Sequence, residues 1–221
     1  MTSKQGKRGF TLMELLVVIA IIAMLVTVMV PVMLGFMKGR GLSMSGNNIG
    51  GFIAFARSEA MNTRQTHVIV CFEEAEDGDP GALVPLTIGP GMAVYRIDND
   101  PGPNERTVNY VKQLDFAGQI GGSVDYAGSW KERAPRGPST YLPDAANTRF
   151  AGKYKIVVLP NGRLIIPEDI PGYVLDTGET SQLKTDLALT DGDRFVYIDI
   201  NSATGAVKRS TVLSREETGE P

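Results

Sequence analysis

The side chains that most often perform catalysis are sparse in this chain of 221 residues. His67 is its only histidine and Cys71 its only cysteine, and they lie four residues apart in the run HVIVCF. On a strand, that spacing places both on one face but about 13 Å apart, at roughly 3.3 Å per residue. This distance is too long for a Cys–His nucleophile or for two ligands of one metal ion. We therefore interpret His67 as a structural or surface residue and Cys71 as a buried, inert thiol.

Acidic side chains form three groups, at residues 73–79, at Asp98 and Asp100, and at Asp191 and Asp193. Calcium prefers several such oxygens, but none of these groups completes an EF-hand loop, and solvated turns explain them better. The sequence also contains no GxSxG elbow, phosphate-binding glycine loop, HExxH or CxxC motif. We therefore predict no metal site, no cofactor and no enzymatic activity.

One further carboxylate, Glu14, stands near the start of a long apolar segment. From Leu15 to Val30 only Thr27 interrupts the apolar run, and about 20 such residues cross a bilayer as a helix. We predict a single transmembrane helix over residues 10–34. A carboxylate in the middle of a membrane costs roughly 2.5–3.5 kcal/mol. Glu14 therefore either reaches interfacial water or has a specific function.

A short basic stretch precedes the apolar segment. Lys4, Lys7 and Arg8 come before Gly9, and cations in this position keep their side of a helix in the cytoplasm. An ordinary secretory signal has a shorter apolar stretch followed by a small-x-small cleavage site. Here the small residue, Gly9, comes before the apolar run. Cleavage after Gly9 would remove residues 1–9 and leave the apolar helix as the mature N-terminus.

The stretch KRGFTLMELLVVIAIIAMLVTVMVP, residues 7–31, resembles the class III signal of type IV pilins and type II secretion pseudopilins. The resemblance implies that a membrane-embedded prepilin peptidase cuts between Gly9 and Phe10 and then methylates the amine of Phe10. It also implies that Glu14 meets the N-terminal amine of a neighbouring subunit in a filament. Because a buried charge without a counter-charge is costly, this pairing would fix the axial register of the subunits.

The apolar helix is expected to continue as residues 35–64 on the periplasmic side. Pro31 removes one backbone hydrogen bond and should kink the helix. Glycines at 35, 39 and 41 weaken it further, so residues 31–41 should form a soft joint. The resemblance to pilins implies that this joint can melt when subunits pack into a filament, and a simple kink at the membrane surface is the alternative.

The last part of this helix carries an apolar stripe with helical spacing, which predicts packing on a sheet. Arg57, Glu59 and Arg64 are expected to face outward. The stretch FARSEAMNTRQTHVIVCF, residues 55–72, resembles the GspH/FimT-like subgroup of minor pseudopilins and pilins. The stripe consists of Ile49, Phe52, Ile53, Ala56 and Ala60.

Residues 65–213 read as a β-rich domain, and the predicted fold class is α+β: a long N-terminal helix packed against an antiparallel sheet, as in pilins. Asn161–Gly162 marks one hairpin turn and 201–205 another. Gly118–Arg149 reads as an extended loop or a variable insertion, which Trp130 and Tyr141 pin to the surface. The tail, residues 214–221, is expected to be disordered. Strands are predicted at 66–72, 92–97 and 107–116.

The resemblance implies a minor pseudopilin of a type II secretion system, which assembles into or primes the periplasmic pseudopilus for protein export. The alternative is a FimT-like minor type IV pilin, active in pilus assembly or DNA uptake. A membrane-tethered enzyme or binding module that carries the same leader is a third possibility, which a deep pocket with convergent polar groups would favour. The expected location is the inner membrane, single-pass, with the domain in the periplasm.

The partners implied are the prepilin peptidase, other pseudopilins or pilins, an inner-membrane assembly platform and exported cargo. Some pilus relatives use basic residues near the last hairpin for DNA uptake, and Lys208 and Arg209 lie there. Without Lys4, Lys7 and Arg8, however, 19 basic residues stand against 25 acidic ones. Phosphate contacts normally need several cations together, so DNA binding is not expected.

Overall fold

The computed structural model describes residues 12–73, 90–98, 100, 107–116, 124–167 and 185–218. Gly9, Phe10, the rest of the leader and the acidic residues 74–79 lie outside this set. In chain order the described elements are α1 (Leu12–Thr63), β1 (Thr66–Phe72), β2 (Gly91–Ile97), β3 (Val108–Asp115), β4 (Asp125–Tyr126), α2 (Gly128–Arg133), α3 (Asp144–Arg149), β5 (Tyr154–Val158), β6 (Leu164–Ile165), β7 (Leu187–Thr190), β8 (Arg194–Ile200), β9 (Val207–Arg209), β10 (Leu213–Ser214) and α4 (Arg215–Thr218).

The chain divides into two compact units, residues 1–37 and 38–221, and α1 contributes to both. In the first unit, Leu12–Val30 has a mean hydropathy of 2.8 with none of its residues buried, and it is long and apolar enough to cross a membrane. The Thr27 hydroxyl donates a hydrogen bond to the Met24 carbonyl at 2.8 Å, so this polar group is satisfied inside the helix. The helix continues through Pro31, and the kink there stays a prediction.

The second unit contains two antiparallel sheets. Among the described strands, the first sheet has the order β3-β2-β1-β5-β6, and the second has the order β10-β8-β7-β4, with β9 also pairing with β8. All seven residues of β1 are buried. Ile69 and Cys71 pack in a core that includes α1, whereas Val68 and Val70 pack with Phe150, just beyond α3. Because both faces of β1 are covered, residues 68–72 form a continuous apolar run rather than an alternating one.

The predicted α+β class and the predicted packing of the helix on a sheet are confirmed. The five residues of the apolar stripe are at most 5% exposed and share one core with residues of both sheets. The helix ends where Arg64 adopts a left-handed conformation, φ 57°, which turns the chain directly into β1. The three predicted strands are confirmed to within one residue at each end.

The prediction of an extended loop from Gly118 to Arg149 was wrong for its described part, since β4, α2 and α3 lie there. Trp130 lies in the core with 0% exposure rather than at the surface. Its indole N–H donates to the Asp186 carbonyl at 2.8 Å, and its ring stacks on Tyr126 with centroids 4.6 Å apart. Tyr141 is 51% exposed. The two helices have six residues each, too few to produce a visible helical period.

The expected disordered tail needs a similar correction over its first residues. Ser214 pairs with Arg194 in the second sheet, and the Arg215 amide donates to the Asp193 carbonyl at 3.1 Å. The last turn, α4, follows this anchor. Residues 219–221 lie outside the described part of the chain.

Candidate functional site

Glu14 lies in the first turn of α1, within the membrane-crossing segment, and its side chain is exposed. An acidic side chain is favourable there because the N-terminus of a helix carries partial positive charge. Of the residues predicted for maturation and assembly, Glu14 and Pro31 belong to the described helix. Gly9 and Phe10 do not, so their relation to Glu14 stays a prediction.

In the second unit, the side chain of Arg57 connects α1 to two hairpin turns. The sequence predicted both turns but not their contact with Arg57. Its Nε–H donates to the Gly162 carbonyl at 2.7 Å. One terminal N–H donates to the Thr204 carbonyl and the other to the Ala203 carbonyl, the latter at 3.3 Å. The prediction that Arg57 faces outward was therefore wrong. The long aliphatic part of the side chain lets the guanidinium reach backbone carbonyl groups beyond the helix, and the position of Arg57 on the helix face does not predict this contact.

The first of these turns is the predicted hairpin at Asn161–Gly162, between β5 and β6. The Gly162 amide donates to the Leu159 carbonyl at 2.8 Å, and the Leu159 amide donates to the Arg163 carbonyl at 2.9 Å. Gly162 alone among the loop residues has a positive φ, 79°. The connection is therefore a three-residue loop that ends in a left-handed glycine, rather than a two-residue turn.

The second turn is the predicted hairpin at 201–205, between β8 and β9. The Asn201 side-chain oxygen accepts hydrogen bonds from the amides of Ala203 and Thr204, at 3.1 and 2.8 Å, and Gly205 closes the loop with φ 67°. A Cβ on Gly205 would overlap the Arg57 side chain and lie 2.9 Å from one of its terminal nitrogens. Glycine is thus required here both by the backbone and by the approach of Arg57.

The two residues considered for nucleic-acid contact lie on β9, and both are exposed. The Arg209 guanidinium donates to the Ser43 hydroxyl at 2.6 Å, which ties β9 to α1. Lys208 is in register with Asp199 of β8. Arg209 therefore has a stabilising contact within the domain, and Lys208 is the clearer of the two candidates for contact with nucleic acid.

His67 and Cys71 are both buried in β1, as expected for a structural histidine and an inert thiol. Burial raises the pKa of Cys71 to about 12, so the thiol stays protonated and is a poor nucleophile. Burial likewise lowers the pKa of His67 from its usual value. The two residues are on the same face of β1, as the spacing predicted.

Two grooves, of about 560 and 370 Å³, lie along β6 and share Tyr141 and Ile165–Pro167. The larger groove includes Asp186, whose carboxylate accepts a hydrogen bond from the Ile200 amide at 2.6 Å. Neither groove is lined by His67 or Cys71. Within the described ranges, no group of three His, Cys, Asp or Glu side chains could hold a metal ion. Since residues 74–79 lie outside them, the absence of a metal site stays a prediction.

Comparison with known proteins identifies one feature, at the N-terminus. Residues 4–30 match the prokaryotic N-terminal methylation motif, which covers Gly9, Phe10 and Glu14. No curated protein and no solved structure matches the chain. The motif implies processing by a prepilin peptidase and assembly with other pilin-like subunits, and the apolar helix fits the single-pass anchor typical of pilins. The chain thus carries a type IV pilin-like prepilin signal ahead of an α+β domain.

Proposed function

We propose that the protein is a minor pseudopilin of a type II secretion system, which works by assembly and not by catalysis. The N-terminal methylation motif over residues 4–30 carries this proposal. Its support comes from the apolar segment Leu12–Val30 and from an α+β domain whose sheets pack on the second half of α1. The subunit spans the inner membrane once, with its domain in the periplasm.

The mechanism follows from a charge that proteolysis creates. Cleavage between Gly9 and Phe10 leaves an α-ammonium, whose ordinary pKa of about 7.7–8.0 keeps it largely charged at neutral pH. In the low dielectric of packed helices this cation and the Glu14 carboxylate of an adjoining subunit attract each other strongly. Breaking a buried pair costs about 3–5 kcal/mol, so only a register that joins them is stable.

The partners proposed for this cycle are the prepilin peptidase, the inner-membrane assembly platform and other pseudopilins. As a minor subunit the protein primes the pseudopilus and contacts exported cargo. A FimT-like minor type IV pilin is the second candidate, because Lys208 and Arg209 lie exposed on the last hairpin.

Glu14→Ala tests the mechanism in cells that contain the complete assembly system. We expect the variant to be processed and inserted normally but to be depleted from sheared filaments at least ~10-fold, since the loss of a buried ion pair costs several kcal/mol. Thr27→Ala is the matched control, because its hydroxyl is satisfied within α1. Immunoblots of the membrane and filament fractions measure the effect. Wild-type recovery of Glu14→Ala in filaments would contradict the proposal.

A further inference from the structure

His67 lies at the junction between the end of α1 and the start of β1. The helix ends at Thr63, and His67 is the second residue of the strand that follows, with a fully buried side chain. In register it is opposite Arg96 of β2 on one side and Val158 of β5 on the other. The ring is therefore enclosed where the end of the helix meets three adjacent strands of the first sheet.

The hydrogen bonding of the ring favours its neutral form. Nδ1 lies 3.0 Å from the Gln65 carbonyl oxygen, and because a carbonyl only accepts, Nδ1 carries the proton. In the neutral ring Nε2 is then an acceptor. This atom is buried and has no hydrogen-bond partner among the described residues. Protonation would turn it into a buried cationic donor without an acceptor, which is costly.

The charged groups around the ring act in opposite directions. Glu59 of α1 favours the protonated form, Arg96 of β2 opposes it, and β5 presents only the apolar Val158. Arg96 also has a buried Nε–H with no partner in the described chain. A protonated His67 therefore adds a second cation and a second unpaired buried donor to the same cross-strand pair.

We propose that His67 makes the junction between α1 and the first sheet a pH-sensitive latch, which is closed while the ring is neutral and loosens when the ring is protonated. In the open junction the ring has its ordinary pKa of about 6.5, and in the closed junction burial lowers that pKa. The stability that the neutral ring contributes is therefore fully present above about pH 6.5. It is lost as the pH falls below 6.5 and through the lower pKa of the closed junction.

Hydrogen exchange measured on the full chain in detergent micelles tests the latch. After correction for intrinsic exchange, amides of residues 60–72 should exchange ~3- to ~10-fold faster at pH 5.5 than at pH 7.5, the upper value being set by the ordinary pKa of the open histidine. His67→Gln, which cannot be protonated, should remove the difference. An equal acceleration in His67→Gln would overturn the proposal.

Direct titration of the ring keeps the test valid if His67→Gln does not fold. Since the chain has one histidine, its ring signals in an NMR spectrum report this site alone. We expect a midpoint below 6.5 in the wild type, a lower one in Glu59→Gln and a higher one in Arg96→Gln. Glu132→Gln, at an exposed position of α2, is the control and should leave the midpoint unchanged. A wild-type midpoint at or above 6.5, or one unmoved by both Glu59→Gln and Arg96→Gln, would refute the latch.

Discussion

At the scale of single residues, the side chain of Arg57 connects α1 to the two hairpin turns of the domain. Arg57 donates to carbonyl groups of two hairpin turns that lie 105 and 147 residues further along the chain. A hydrogen bond that involves a charged group contributes about 1.5–3 kcal/mol to stability. Arg57 is only partly buried, and its bonds to the second turn are exposed to solvent. We therefore expect its three bonds together to contribute about as much as one such bond, rather than three times as much.

We predict that Arg57→Met lowers the free energy of unfolding of the second unit by about 2 kcal/mol. Arg57→Lys should restore only part of the loss, because a single ammonium cannot serve carbonyl groups in both turns. Arg163→Met, an exposed arginine beside one of those turns, is the control and should stay within about 0.5 kcal/mol of the wild type. Urea unfolding of the full chain in micelles, followed by the fluorescence of Trp130, the only tryptophan, measures all three. Equal stability of Arg57→Met and Arg163→Met would contradict the role of Arg57.

The sequence predicts buried apolar residues better than polar anchors. The stripe from Ile49 to Ala60 follows from its spacing alone, since residues three and four apart share a helix face. The role of Arg57 depends on carbonyl groups that only the folded chain brings within reach. The orphaned nitrogen of His67 likewise depends on how tightly β2, β5 and α1 close around it. No local sequence pattern predicts either the hydrogen bonds of Arg57 or the unpaired nitrogen of His67.

At the scale of elements, the two hairpins hold the end of each sheet against α1. Leu164 of β6 donates its amide to the Ser202 carbonyl at 2.8 Å, so the turn between β8 and β9 also joins the two sheets. Asn-Gly and Asn-x-x-x-Gly signals were enough to predict both hairpins, because few residues adopt a positive φ. These sequence signals did not predict the length of the first loop or the contact of both turns with Arg57.

Gly205→Ala should be markedly more destabilising than Gly152→Ala. Both glycines have nearly the same positive φ, 67° and 71°, and alanine in that conformation costs about 1–2 kcal/mol. A Cβ on Gly152 meets nothing within 4 Å, whereas one on Gly205 displaces Arg57. We expect Gly205→Ala to lose in addition part of the stability that Arg57 provides. Thermal unfolding followed by Trp130 fluorescence measures the difference, and equal losses would show that Arg57 accommodates the methyl group freely.

At the scale of the whole molecule, DNA uptake would require the basic residues of the last hairpin to bind DNA, whereas protein secretion would not. We predict that Lys208→Ala changes DNA binding in a gel-shift assay by less than ~2-fold, since a single phosphate contact on an acidic domain contributes little. Arg209→Ala is a less clean probe because it also removes the hydrogen bond to Ser43. A large loss of DNA binding in Lys208→Ala, with unfolding unchanged, would instead support the pilus alternative.

The N-terminus of the mature chain tests the central claim most directly. The protein should be purified from membranes of cells that contain a prepilin peptidase, and its first peptide sequenced by mass spectrometry. We predict that the mature chain begins at Phe10, reads Phe-Thr-Leu-Met-Glu and carries one methyl group on its α-amine. A mature chain that retains residues 1–9, or that begins after the apolar helix, would contradict maturation as a prepilin and with it the pairing of Glu14 with a neighbouring subunit.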